Sequence, residues 1–169
     1  MSLSMYQASI PVFQRMLGNL SQILDKAVAM AETKKIDPLV LANARLAPDM
    51  HPLIRQVQIA TDSVKGCAAR LAGVEVPSFA DTESNFAELQ ARLQKTQDFL
   101  NTVSAAQIDG SEDKAITLNF PGMELKFTGQ QYLLGFVLPN FYFHLTTAYA
   151  ILRHNGVDIG KMDFIGKPN

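Results

Sequence analysis

Apolar residues recur at steps of three and four along three long stretches of this chain, over residues 13–31, 53–71 and 86–103. Residues at these steps share one face of an α-helix, and an apolar face must be buried against another element. The third stretch carries the regular seam of a helical bundle, at Phe86, Leu89, Leu93, Thr96, Leu100 and Val103. The spacing therefore predicts a mainly all-α fold in which amphipathic helices pack as a bundle.

The start of the first helix and a short helix after it are marked by residues that favour helix starts. Ser4 or Ser9 can cap the first helix, and Pro11 suits either its first turn or a kink in a helix that begins near Ser4. Asp37 comes directly before a proline, the usual order of an N-cap and a first helical residue. We therefore expect a short connecting helix over residues 39–44.

The second and third long helices have signals of their own. Asp49, with Pro52 three residues later, predicts the start of the second helix. Gly73 predicts its end, because glycine readily takes the left-handed conformation of a helix cap. Asp81 or Thr82 predicts the start of the third helix.

The period changes to two over residues 115–127, where apolar and polar residues alternate. The apolar positions on either side of the change of direction are Ile116, Leu118, Phe120, Met123, Leu125 and Phe127. This alternation predicts a β-hairpin with one apolar face. Pro121 followed by Gly122 favours a type II turn, and we expect it inside a slightly longer loop, because tight hairpins prefer turns that proline cannot form.

The last helical stretch covers residues 130–153 and ends before Asn155 and Gly156, a pair that suits a left-handed cap. Pro139 lies within it and is expected to bend or break the helix at Leu138. The remaining residues, 157–169, hold several glycines and prolines and few apolar residues. We expect them to form an extended segment on the surface.

Composition and charge limit the possible partners. Hydrophobic residues make up 47% and charged residues 18% of the 169, which fits one folded domain spanning residues 1–169. Lys plus Arg number 15 against 16 Asp plus Glu, so no strong field attracts a polyanion, and we expect no nucleic-acid partner. The single cysteine, Cys67, lies among small residues without a neighbouring basic cluster, which favours a buried, inert thiol over a nucleophile.

Targeting and membrane signals are missing from the sequence. The first residues carry no basic group before Arg15 and no apolar run of signal-peptide length. No stretch of about 18 uncharged apolar residues is present to span a bilayer. We therefore expect a cytoplasmic protein without a membrane partner.

The order of elements, three amphipathic helices, a hairpin and a proline-containing last helix, resembles the DinB/YfiT-like four-helix-bundle superfamily. More narrowly, the segment from Leu138 to Gly156, LPNFYFHLTTAYAILRHNG, is similar to the bacterial family called domain of unknown function 1993. Ala47-Pro-Asp and the run RLAGVEVP from Arg70 to Pro77 support the same resemblance. It implies an up-down-down-up bundle with a short β-hairpin before the last helix, in a protein that often forms a homodimer.

The superfamily resemblance also implies a metal site, since many members carry one histidine on helix two and a His-x-x-x-His pair on the last helix. Here His144 matches the second histidine of the pair, but Asn140 stands in the first position. The only histidine near helix two is His51, at its very start, whereas a ligand is expected around Gln58. We therefore expect no metal and no cofactor, with Zn or Ni held by His144 and His51 as the weaker alternative.

A polar cluster is expected in place of that metal site. Asn140, His144 and Thr147 lie on one face of the last helix, and Gln58 and Asp62 on helix two can meet them across the bundle. In one interpretation His144 acts as an acid, base or ligand anchor whose tautomer is set by Asp62. In the other, His144 is a buried structural residue that Asn140 and a helix-two side chain satisfy.

Two functional hypotheses follow. The first is a non-catalytic or degenerate-site binding or structural homodimer with a pocket near His144 that takes a small-molecule ligand. The alternative is a metal-assisted hydrolase or thiol transferase with an atypical ligand set, as the resemblance to metal enzymes of the superfamily implies.

Overall fold

The computed structural model describes residues 3–166, which fold mainly into helices. In chain order the first helices are α1 (Ile10–Lys34), α2 (Pro38–Ala42), α3 (Leu53–Ala72), α4 (Phe86–Asn101) and α5 (Ala105–Ile108). They are followed by β1 (Ala115–Phe120), β2 (Met123–Thr128), α6 (Gly129–Gln131), a π-helical segment (Tyr132–Val137), α7 (Leu138–His154) and α8 (Lys161–Ile165). The expected bundle with a hairpin before the last helix is confirmed.

Four helices, α1, α3, α4 and α7, form the bundle, and α3 contacts each of the other three. α3 packs along both α7 and α4, and α1 packs against α4. The buried apolar side chains form one continuous cluster, in which Phe13 of α1 meets Phe141 of α7 edge to face with ring centroids 5.4 Å apart. Cys67 is fully buried in this cluster, and burial raises the pKa of its thiol.

Several predicted helix limits are confirmed. Pro11 lies in the first turn of α1, so the alternative of a kink within a longer helix is wrong. Asp37 caps α2, since its carboxylate accepts a hydrogen bond from the backbone N–H of Leu39 at 2.9 Å. α3 ends at Gly73, whose φ of +75° is the expected left-handed cap.

Two predicted helix starts are wrong. α3 begins at Leu53 with Pro52, not Asp49, as its N-cap residue. α4 begins only at Phe86, where the side chain of Asn85 accepts from the N–H of Glu88 at 3.0 Å. The expected cap Asp81 instead forms ion pairs with arginines of α3 and α4, so a tertiary contact takes the place of the local one.

The hairpin has the predicted apolar face but a tighter connection. Phe120 pairs with Met123, so the loop is the two residues Pro121 and Gly122, and the expected longer loop is wrong. Gly122 has φ +77°, as the second central residue of a type II turn requires. A type II turn spreads the two strands that it joins. The sheet has only these two strands within residues 3–166, so the spreading disturbs no pairing with a third strand.

The last helix continues through Pro139 without a break. α6, the π-helical segment and α7 follow each other directly, and the N–H of Leu138 bonds to the carbonyl of Leu133, five residues earlier. Proline lacks the N–H that a regular turn needs, and a wider turn before it accommodates that loss. The predicted irregularity is therefore present as a π-helical segment, while the predicted break at Leu138 is wrong.

The segment after α7 is neither extended nor wholly on the surface, because Val157 and Ile159 are buried in the core. It forms the short helix α8, which packs on α1 and is held by a hydrogen bond from the Asn19 amide to the carbonyl of Phe164 at 3.0 Å. Lys26 forms an ion pair with Asp163 at 2.6 Å. Asp163 also accepts from the N–H of Gly160 at 2.7 Å, which stabilises the first turn of α8. Residues 167–169 lie outside the described residues.

Between residues 3 and 166, no helix combines the length and the apolar character needed to cross a bilayer.

Gly129 lies where the hairpin joins the last helix, and a substitution at this position tests how closely the junction is packed. A β-carbon at Gly129 would overlap the backbone carbonyl oxygen of Ser111. We expect Gly129→Ala to lower the free energy of unfolding by about 2 to 4 kcal/mol, because backbone must move to relieve the overlap. Chemical denaturation measures the change.

Gly135, in the π-helical segment, provides the matched control. A β-carbon there meets no atom of the described chain within 4 Å. Gly135→Ala should leave stability unchanged or raise it by up to about 1 kcal/mol through helix propensity. Equal effects of the two substitutions would contradict the close packing at Gly129.

Candidate functional site

His144 of α7 is 9% exposed, and its ring is held by a side-chain amide of α3, the helix that the sequence analysis counted as helix two. Its Nδ1 lies 2.7 Å from Oε1 of Gln56. The amide nitrogen of Gln56 donates to the backbone carbonyl of His51 at 3.0 Å, which leaves the amide oxygen facing the imidazole. Nδ1 therefore carries the hydrogen and donates it, and Nε2 keeps its lone pair.

Burial keeps this imidazole neutral. Loss of solvent, together with electrostatic repulsion from the nearby His51 and Arg55, lowers the pKa of His144 to about 4. At neutral pH the ring therefore carries no charge and links α7 to α3 as a hydrogen-bond donor.

The other two polar residues on this face of α7 have partners of their own. The Asn140 amide donates to Oγ of Ser63 at 2.7 Å, and the Ser63 hydroxyl donates to the carbonyl of Ile59 at 2.7 Å. The Thr147 hydroxyl donates to the carbonyl of Phe143 in its own helix at 2.7 Å. Asn140 therefore does not satisfy His144 as the structural interpretation expected, whereas the expected partner from the facing helix is present as Gln56.

Gln58 and Asp62 face away from His144. The Gln58 amide donates to a carboxylate oxygen of Glu83 at 2.8 Å. Asp62 forms ion pairs with Lys65 at 2.7 Å and with Arg92 at 2.9 Å. The expectation that Asp62 sets the histidine tautomer is therefore wrong, because its charge is taken by these cations and the neutral Gln56 occupies its expected place.

The cation that draws these residues together is Arg92 of α4, which the sequence analysis missed. Its side chain is 1% exposed, and Nε donates to the Thr61 hydroxyl at 2.7 Å. Nη1 donates to both carboxylate oxygens of Glu83, at 3.0 and 3.1 Å. Nη2 lies 2.9 Å from a carboxylate oxygen of Asp62 and 3.0 Å from one of Asp81, so it forms ion pairs with both.

A sequence signal for Arg92 was present. It lies three residues after Leu89 and four before Thr96, on the apolar seam of α4, where a charged residue needs a buried partner.

The donor atoms in this region do not fit the three-histidine metal site of the superfamily. Asn140, Gln58 and Nδ1 of His144 are each bonded elsewhere, and His51 is exposed at the start of α3. No group of three His, Cys, Asp or Glu residues suited to a metal occurs anywhere in residues 3–166. The arrangement supplies hydrogen bonds and ion pairs between helices, and it offers no open coordination shell.

A cleft of about 350 Å³ opens between α3, the hairpin and the π-helical segment. Asp62 and Asn140 both line it, so the structure brings these two predicted residues to one surface, but His144 is not in its lining. Arg70 and Tyr132 lie on the same wall, with Arg70 Nη1 donating to the Tyr132 hydroxyl at 3.0 Å. The open space is therefore beside Asn140, one helical turn from His144.

The low pKa of His144 predicts a pH dependence of stability. A histidine in the unfolded chain titrates near pH 6.5, whereas the folded chain takes up a proton at His144 only near pH 4. This part of the stability is complete above pH 6.5 and is lost as the pH falls toward 4. We expect a loss of about 2 kcal/mol between pH 7 and pH 5 that is absent in His144→Gln, measured by urea denaturation.

The exposed His154 gives the control for this measurement. His154→Gln should keep the loss between pH 7 and pH 5. An identical pH dependence in the native protein and His144→Gln would show that His144 titrates normally and would contradict its burial.

Similarity to other proteins agrees with this fold. The sequence matches the family model described as Domain of unknown function (DUF1993) over residues 5–165. The chain is similar to the crystal structure of a DinB family member protein from Shewanella denitrificans, with 43% identity, a TM-score of 0.87 and coverage of 96% of this chain and 92% of that chain. No curated protein matches the chain. The predicted DinB-like bundle is confirmed, and the chain belongs to the family called domain of unknown function 1993.

Proposed function

We propose that this protein is a non-catalytic, degenerate-site member of the DinB-like bundles, acting as a small-molecule binding homodimer. The observation that carries the proposal is the incomplete ligand set around His144. Nε2 of its ring keeps a lone pair, but Asn140, in the position of the first histidine of the pair, is hydrogen-bonded to Ser63. No group of three His, Cys, Asp or Glu residues suited to a metal occurs in residues 3–166, and one imidazole alone holds a transition ion weakly. A cleft is nevertheless retained beside Asn140, which suits binding without chemistry.

The side chains that could act as nucleophiles support the same proposal. The Cys67 thiol is fully buried, and burial raises its pKa, so the reactive thiolate is disfavoured. Ser63 lines the cleft, but its hydroxyl donates to its own helix and accepts from the Asn140 amide. An activated serine needs a base that accepts its proton, and Asn140 does not provide one.

Metal titration tests the proposal against the metal-enzyme alternative. We expect the purified protein to contain no stoichiometric Zn or Ni, and titration with either ion to show no site tighter than about micromolar, because Nε2 of His144 is joined by no second imidazole and the Asn140 and Gln58 amides are bonded to protein groups. Elemental analysis and isothermal titration calorimetry measure both quantities.

Two alanine variants decide the meaning of any metal found. One equivalent of metal per chain that is lost in His144→Ala but kept in His154→Ala would overturn the non-catalytic proposal. Weak uptake lost only in His154→Ala would come from the exposed end of α7 and would leave the proposal standing.

The homodimer is supported by the resemblance and by one large apolar side chain that α7 leaves in solvent. Phe143 is 55% exposed on this helix, an unusual position for a phenylalanine. We expect multi-angle light scattering to give twice the mass of one chain, and Phe143→Glu to give one chain, because a charge opposes burial of this surface.

Met162 of α8, which is 62% exposed, serves as the control position. Met162→Glu should remain dimeric. A single-chain mass of the native protein at all concentrations would contradict the dimer. Cytoplasmic location also stays a prediction from the sequence.

A further inference from the structure

Arg70 is a half-buried cation that lacks an acidic partner. Among residues 3–166 no carboxylate lies within ion-pair distance of its guanidinium, whose recorded hydrogen bond goes to the neutral Tyr132 hydroxyl at 3.0 Å. Two other arginines have acidic partners, Arg55 at the start of α3 with Asp81 and Arg92 of α4 with several carboxylates. A partly desolvated guanidinium with free N–H groups gains most from an added anion.

The position of this guanidinium is set by a glycine. A β-carbon at Gly66 would overlap Arg70 Nη1, and the three side-chain atoms nearest to that point all belong to the Arg70 guanidinium. Gly66 is buried in the middle of α3, where glycine otherwise disfavours a helix. The missing side chain therefore leaves the space in which the guanidinium lies against Tyr132, held in place before any ligand arrives.

Tyr132 adds a hydrogen bond donor at the same point. Burial raises the pKa of its hydroxyl to about 12, so the group keeps its proton at neutral pH. The oxygen accepts from Arg70, and its hydrogen is free to donate to an anion placed beside the guanidinium.

The rest of the cleft is suited to an apolar body of limited charge. Leu118 and Phe120 of the hairpin and Phe136 of the π-helical segment line it, and Phe120 is 44% exposed. The Asp62 carboxylate lies in the same lining, which disfavours a ligand with two negative charges. One free guanidinium and one hydroxyl match the two oxygens of a carboxylate.

We propose that this cleft binds a small organic carboxylate, with its carboxylate on Arg70 and Tyr132 and its apolar body against the hairpin. The inference rests on the proposed binding function and names the ligand class. A volume of about 350 Å³ is at the lower end of small-molecule sites, so the ligand is the size of a phenyl-substituted short-chain acid.

A matched pair of probes tests the charge requirement. 3-Phenylpropionate and its neutral amide are titrated into ¹⁵N-labelled full-length protein, and amide shifts are followed by NMR. We expect saturable shifts for the acid around Gly66, Tyr132 and Asn140, and about tenfold or weaker affinity for the amide, as loss of one charge-assisted pair predicts. Equal affinity for acid and amide, shifts elsewhere on the bundle, or no saturable binding at millimolar concentration would overturn the proposal.

Three variants test the role of Arg70. Arg70→Gln should weaken the acid about tenfold while leaving the amide unchanged, and Arg15→Gln, at an exposed site of α1, should bind both probes as the native protein does. Gly66→Ala should displace the guanidinium and weaken the acid without lowering the thermal midpoint, which separates lost binding from lost folding. Unchanged acid affinity in Arg70→Gln would overturn the proposal.

These results are independent of the metal titration. Stoichiometric Zn or Ni lost in His144→Ala overturns the non-catalytic function, whereas loss of the preference for the acid over the amide overturns only the ligand class.

Discussion

The buried guanidinium of Arg92 is the interaction on which the arrangement around α3 depends. It gathers carboxylates from two parts of the chain, Asp62 on α3 and Asp81 and Glu83 in the segment before α4. The Arg92 guanidinium is buried, so loss of these carboxylates would leave its charge uncompensated, and the acids are held beside it. As a result, the side of α3 that faces α7 offers His144 a neutral amide, and the chemistry available there is limited to hydrogen bonding.

Much of the fold could be predicted from the sequence, because apolar periodicity reports directly which face of each helix is buried. The sequence also predicted that His144 is buried and bonded to a side chain of the facing helix, which is α3. The identity of that side chain was not predicted. Gln56 and Gln58 are two residues apart and lie about 200° apart around the helix, so only the packing angle of α7 decides which one meets the histidine.

The wrong helix starts and the misjudged tail share another cause. Asp81 is a good N-cap residue by type, but its carboxylate lies beside Arg92, which is distant in sequence. The residues of α8 look irregular in isolation and become helical where Asn19 and Lys26 of α1 provide partners. Pro139 correctly predicted an irregular turn in the last helix, but that turn is a π-helical segment and the helix does not break. Local signals thus set the options, and contacts between distant residues chose among them.

The complete burial of Cys67 makes its chemical modification a measure of local unfolding around α3. A thiol reagent needs an accessible thiolate, so modification of this one cysteine requires α3 to separate from its neighbours. The rate of thiol labelling under native conditions then measures how often the helices around Cys67 open transiently, without any engineered probe. Because Arg70 lies one helical turn from Cys67, the same rate would register any tightening of α3 when its guanidinium is occupied.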